Sequence, residues 1–210
     1  MANVTCRWTM LTVPHSGTRY ITETFDESGY PSKYGTPRGL LNRGIPGGLL
    51  WSHWQGFGKN PHKFDCVEAD RIFSVVRDPI KIWSSHAKYL TETKHTPEYI
   101  YGRCEDKKIC LEQNFRYQKK FQDRVAHWHR VDQDSIHDLE LWAGVKLQEG
   151  ASQHSSPSRI KTAIEERNID LVKEVMKEHN VDFYDWFVEE LSPQIRPLYE
   201  DKFGYEFWWM

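Results

Sequence analysis

Four positions in this sequence carry side chains that could do chemistry. The first is the run His15-Ser16-Gly17-Thr18, which interrupts an apolar, β-branched stretch ending at Pro14. Gly17 lets the backbone turn closely, and the N–H groups of residues 16 to 18 open a helix whose positive end favours an anion. Ser16 and Thr18 add hydroxyl donors. Such a turn serves as a phosphate cradle or as a plain strand-to-helix cap. The second position is Arg77, directly after the apolar run Ile72-Phe73-Ser74-Val75-Val76. A guanidinium at the end of a buried strand is costly unless paired, so Arg77 should meet a ligand anion or a carboxylate such as Asp26. The third is Ser85, eight residues after Arg77. It stands two helical turns beyond the expected cap Asp78, placed to share an anion with Arg77 or simply to face solvent. The fourth is His53, in "LLWSHW". An imidazole there suits proton abstraction near neutral pH, or is a hydrogen-bonded core residue.

These groups need elements to hold them. Residues 5–13, 49–54 and 71–76 read as strands, each followed by a helix or a glycine-bearing loop. Thr18 to Phe25 has helical spacing, and the third strand runs into a helix with Asp78 as N-cap and Pro79 at its first position. Residues 28–48 are rich in Gly, Pro and Ser and read as one extended loop. In the second half Leu111, Phe115, Gln118, Phe121, Val125 and Trp128 recur at three- and four-residue spacing, predicting one long helix. Shorter helices are expected over 135–142, 159–166, 169–177 and 183–191, with a loop over 149–158. Strands joined by helical crossovers imply a parallel sheet covered on both faces, with ligands bound beyond the carboxyl ends of its strands. With parallel, adjacent strands, the loop after Pro14, His53 and Arg77 converge on one edge.

The bulk numbers set limits. A chain of 210 residues reads as a single domain over 1–210. Its 28 basic and 30 acidic side chains leave a net charge of −2, which gives no general attraction to nucleic acid or an anionic membrane. No apolar run is long enough to span a bilayer, and Met1-Ala2-Asn3 opens no secretory signal, so a cytoplasmic location is expected. Cys6, Cys66, Cys104 and Cys110 form no paired metal pattern; Cys104 and Cys110 are near enough in sequence to bridge, but a reducing compartment favours free thiols. His127 and His129 form an isolated HxH and no HExxH exists, so no metal is expected. Nine Trp, ten Tyr and ten Phe fill a core or line a cleft.

A standard nucleotide-triphosphate loop would carry GxxxxGK[ST], whereas here no Lys follows Gly17. "TVPHSGTRY" instead resembles the 5′-phosphosulfate loop of sulfotransferases, Y-P-K-S-G-T-T-W. "VVRDPIKIWSSHAKY" resembles their 3′-phosphate motif, in which an Arg and a Ser eight residues later hold the donor's 3′-phosphate. "LLWSHWQ" resembles the strand bearing K-T-H-L-P, and "PLYEDKFGYEFWW" is loosely similar to a closing helix of the Golgi-type and bacterial members. The resemblance implies a three-layer, P-loop-like α/β domain with a central parallel sheet and a helical C-terminal half. It implies transfer of a sulfuryl group from 3′-phosphoadenosine 5′-phosphosulfate (PAPS) to a hydroxyl or amine of a small molecule or glycan, releasing 3′,5′-adenosine bisphosphate. Carried over residue by residue, His15, Ser16, Gly17, Thr18 and Arg19 surround the 5′-phosphate, and Tyr20 stacks on adenine. Arg77 and Ser85 hold the 3′-phosphate, and His53 is the base. His15 stands where the family has its catalytic Lys, and Trp51 where K-T-H has its first residue. Lys33, Arg38, Arg43 and Lys59 are further sources of charge, and His62 is a second candidate base. The late R-K-G-x-x-G loop of cytosolic members has no counterpart, and "GTR" is closer to the glycan-modifying branch. Tyr30, Tyr34, Trp51, Trp54 and Phe57 would suit a sugar or a flat phenolic acceptor. A P-loop kinase, using ATP and magnesium, and a nucleotide-binding protein that has lost turnover through His15 are the rival readings.

Overall fold

The computed structural model describes residues 6–35, 45, 47–59, 71–92, 95–150, 158–179 and 181–210. Two compact units emerge, one from Met1–Arg77 with Gln113–His154 and one from Asp78–Glu112 with Ser155–Met210.

The first unit holds a five-stranded, wholly parallel sheet in the order β2-β3-β1-β4-β5. Its strands are β1 (Trp8–Thr12), β2 (Ser32–Tyr34), β3 (Leu49–His53), β4 (Ile72–Val76) and β5 (His127–Arg130). The apolar runs at β1 and β4 are buried along their whole length because both faces of the sheet are covered. Trp8 and Met10 on one face pack with Leu49, Phe73 and Val75 against Ile21 and Phe25 of α1 (Thr18–Glu27) and Leu139 and Ala143 of α5 (Ile136–Ala143). On the opposite face Trp54 of α2 (Trp54–Lys59) stacks on Trp128 at 6.2 Å, and Phe57 meets Phe121 edge-on at 5.4 Å. Helix, sheet, helix: the architecture is a three-layer α/β one with a helical C-terminal half. Each fully buried side chain of this size stabilises the fold by roughly 1.5–3 kcal/mol, and these aromatics are fully buried at Trp8, Trp54, Phe25, Phe57 and Phe73.

From β1 the chain crosses to the β2–β3 side, and after β3 it returns to β4 and β5. The connections leaving β1 and β4 therefore diverge, which opens a crevice at their carboxyl ends.

The second unit comprises α3 (Pro79–Glu92), the first part of α4 (Pro97–Lys120), α6 (Arg159–Glu165), α7 (Ile169–Glu178), α8 (Phe183–Trp186), a π turn over Phe187–Leu191, and α9 (Ser192–Phe203). Trp83 is its anchor. It stacks on Phe183 and Phe187 at 5.5 and 5.6 Å and donates its indole N–H to the Phe183 carbonyl at 3.1 Å. The expected cap of α3 forms, with Asp78 accepting from the Ile80 N–H at 3.1 Å and Pro79 at the first helical position.

Four expectations about the elements change. The helix expected through Trp128 ends at Lys120; a 3-10 turn over Gln122–Arg124 follows, and His127–Arg130 is strand β5. The spacing of Phe121, Val125 and Trp128 mimics a helix, but pairing with β4 decides the last segment, since Val75 and Val76 offer an open edge to His129 and Arg130. Ser32–Tyr34 within the expected long loop is a short edge strand on β3. The second strand stops at His53, and residues 54–59 form α2, whose Gln55 N–H is held by Asn114 Oδ1 at 3.0 Å. The first strand likewise begins at Trp8, later than expected. The predicted loop over 149–158 lies largely outside the described residues.

Candidate functional site

The turn after β1 is built from unusual backbone. His15 has φ +67 and Gly17 φ +100, so the chain takes two left-handed steps between Val13 and α1. The Ser16 N–H closes back on the Val13 carbonyl at 3.1 Å. Gly17 is required twice over: its φ disfavours any side chain, and a Cβ there would stand 2.8 Å from Cγ2 of Val131. Gly17 is the N-cap of α1 but supplies no side-chain acceptor, so the opening N–H groups of the helix have no cap from it.

Ser16 is fully buried, and among the described residues its hydroxyl has no hydrogen-bond partner. A buried hydroxyl without a partner costs free energy, and its position in this turn suits an incoming acceptor. Arg77 follows β4 and donates from Nη1 to the His15 carbonyl at 3.3 Å. Among the described residues it forms no ion pair, and Asp26 is engaged by Ser32 instead, at 2.6 Å to its N–H and 2.8 Å to its hydroxyl. The structure thus brings His15, Ser16, Gly17, Thr18 and Arg77 together at the divergence of β1 and β4.

His53 lies in register opposite Thr12. Its Nδ1 is 2.9 Å from Thr12 Oγ1, and Thr18 donates its hydroxyl to the same oxygen at 3.0 Å. Burial pushes the His53 pKa down, opposed by a hydrogen bond to the Thr12 backbone, so the ring is neutral at physiological pH. Tyr34 and Trp51 share its face, with ring centroids 6.0 and 5.6 Å from the imidazole.

Other expected site residues are placed differently. Arg19 is exposed and pairs with Glu23 at 2.7 Å. Tyr20 packs at the edge of the core cluster and donates to Glu149 at 3.2 Å; burial and that carboxylate raise its pKa. Ser85 is half-buried on α3, in the second unit. Lys33 and Lys59 are exposed, while Arg38, Arg43 and His62 lie outside the described residues. Of the aromatic candidates, Trp54 and Phe57 are core and Tyr30 packs on Trp8 at 5.2 Å, leaving Tyr34 and Trp51 near His53.

Sequence reasoning missed Thr12 and Val131. Thr12 had one available signal, a hydroxyl at the end of an apolar strand. Val131 had none, because its role exists only where the turn after β5 meets Gly17.

Away from this edge, Cys104, Glu105 and Asp182 approach one another as metal ligands would. Lys108 occupies that cluster, 3.0 Å from Glu105 and 2.6 Å from Asp182, and burial pushes the Cys104 thiol up to about 12. Cys104 is a free thiol, so the 104–110 bridge does not form. No helix among the described residues is long and apolar enough to cross a membrane. Neither a protein-family model nor a curated protein matches this sequence.

Proposed function

We propose that the crevice after β1 and β4 binds the phosphates of a nucleotide, and that the chain is a divergent sulfotransferase using PAPS as donor. The observation that carries this reading is the buried, unpartnered Ser16 hydroxyl, set in a left-handed turn beside Arg77. A phosphate oxygen there would receive that hydroxyl and the first N–H groups of α1. Arg77, without a carboxylate partner among the described residues, supplies charge. The absence of a Lys after Gly17 favours this donor over ATP.

In this reading PAPS supplies the activated sulfuryl group. His53 takes the proton of the acceptor hydroxyl or amine as that atom bonds to sulfur, and the bridging S–O bond breaks to leave 3′,5′-adenosine bisphosphate. A neutral imidazole is the form that can do this. His15 replaces the family's Lys beside the leaving phosphate, where an adjacent anion favours the charged ring. Tyr34 and Trp51 offer the acceptor an aromatic flank.

The test is calorimetric titration with 3′,5′-adenosine bisphosphate, ADP and ATP, on wild type and Arg77→Ala. The bisphosphate binds wild type in preference to ATP, and Arg77→Ala weakens it by about 100-fold, the scale of a lost charge-assisted pair of bonds. Preference for ATP with magnesium supports a kinase instead. No nucleotide binding by folded protein overturns the reading. Bisphosphate binding without sulfate transfer across a broad acceptor panel identifies a protein that has lost turnover.

A further inference from the structure

We propose that Thr12 is a positioning residue that couples occupation of the anion turn to the tautomer of His53, so that donor binding arms the base. The inference rests on the transferase reading above and adds a regulatory link within the same site.

Thr12 is fully buried at the last position of β1, with Thr18 on one side of its hydroxyl and His53 on the other. In the described state Thr18 donates to Thr12 Oγ1 at 3.0 Å. An oxygen that accepts one hydrogen bond becomes a better donor of its own proton. The Thr12 hydroxyl then donates to Nδ1 of His53, 2.9 Å away, and holds the proton of the neutral ring on Nε2. In that tautomer Nε2 has no lone pair to offer an acceptor.

Thr18 is also the first residue of α1, at the turn where an anion would bind. When its hydroxyl rotates toward a phosphate oxygen, Thr12 loses its donor. Its oxygen can then accept from Nδ1–H across the same 2.9 Å contact. The ring proton moves from Nε2 to Nδ1 by exchange with solvent: one proton leaves, one is added, and the charge is unchanged. Nε2 now carries the lone pair that catalysis needs. The Thr12 hydroxyl thus either donates to Nδ1 or accepts from it, and Thr18 selects between the two roles.

Among the described residues the ring has a hydrogen-bond contact with Thr12 on β1 and ring contacts with Tyr34 on β2 and Trp51 on β3, while Thr18 on α1 reaches it through Thr12. Tyr34 is the titratable one among them. Burial lowers the pKa of the ring and a hydrogen bond to the Thr12 backbone opposes it, with no charged side chain among the described residues contributing.

Long-range proton–nitrogen NMR of the His53 ring, assigned with His53→Gln, reads the tautomer directly. Wild type without ligand should carry its proton on Nε2, and adding 3′,5′-adenosine bisphosphate should move it to Nδ1. Thr18→Val should move it without any ligand. In Thr12→Val neither the ligand nor Thr18→Val should alter the ring, and Thr12→Ser should restore the response. Should Thr12→Val not fold, the Thr12→Ser and Thr18→Val spectra decide. A ring already protonated on Nδ1 without ligand, or a response that survives Thr12→Val, overturns the proposal. Bisphosphate binding with no tautomer change overturns it and leaves the transferase reading standing. Failure of any nucleotide to bind overturns that reading, and the Thr18→Val comparison still decides the coupling.

Discussion

At the junction of β5 and α5, Ser135 and Asp138 close a capping box: Asp138 accepts from the Ser135 N–H at 3.0 Å and from its hydroxyl at 2.9 Å. At the junction of β1 and α1, a glycine stands at the N-cap and offers no side-chain cap, and among the described residues the buried Ser16 hydroxyl has no partner. Both helices follow strands of one sheet, yet only the first is satisfied by its own sequence. A helix start closed by its own residues is structural. One that leaves its opening N–H groups without a side-chain cap, beside an arginine, forgoes the free energy that a cap contributes.

The comparison can be broken in three ways, and the largest effect comes from acid on the closed side. His129 lies under α5 on β5, where burial pushes its pKa down to about 4, below the ordinary value near 6.5. Between those values the unfolded chain binds a proton that the native ring does not. Stability is therefore full above pH 6.5 and falls as pH drops toward 4, by about 3 kcal/mol from this group. Urea unfolding at pH 7 and pH 4 should show a drop smaller by that amount in His129→Gln. An equal drop in both proteins would remove His129 from the account.

Next in size is the contrast between two left-handed glycines. Gly144 caps the C-terminus of α5 at φ +67 with open space around it, so Gly144→Ala should cost about 1 kcal/mol. Gly17→Ala adds the collision with Val131 and should cost about 2 kcal/mol more. Bisphosphate binding should be lost in Gly17→Ala alone. Chemical denaturation and calorimetry on both variants give these numbers, and equal costs would mean that the turn after β5 gives way.

The smallest effects are the most diagnostic. Ser135→Ala should lower stability by about 1 kcal/mol and leave nucleotide affinity untouched. Ser16→Ala should do the reverse: stability stays level or rises slightly, because an unsatisfied hydroxyl is removed, while affinity falls by about 10-fold. A destabilised Ser16→Ala with normal affinity would make the two junctions alike.

Much of this was legible in the amino-acid order. The apolar runs at β1 and β4, the Asp78-Pro79 start of α3 and the glycine turn at 15–18 announce themselves because each depends on local chemistry: burial on both faces, a capping carboxylate, a backbone only glycine adopts readily. The limits of β5 were not legible, since Phe121, Val125 and Trp128 keep helical spacing into a segment that β4 claims as a strand. Nor was the strand at Ser32–Tyr34, whose existence depends on the edge that β3 offers.

The same division runs through the site. The sequence by itself determined that a glycine-bearing turn, an arginine and a histidine stand near strand ends, because residue type and strand polarity are local properties. Only the tertiary structure decided that β1 lies between β3 and β4, which sets Thr12 against His53 and brings Arg77 to the His15 carbonyl. Strand order is a property of long-range pairing, and no spacing within the chain encodes which strands become neighbours.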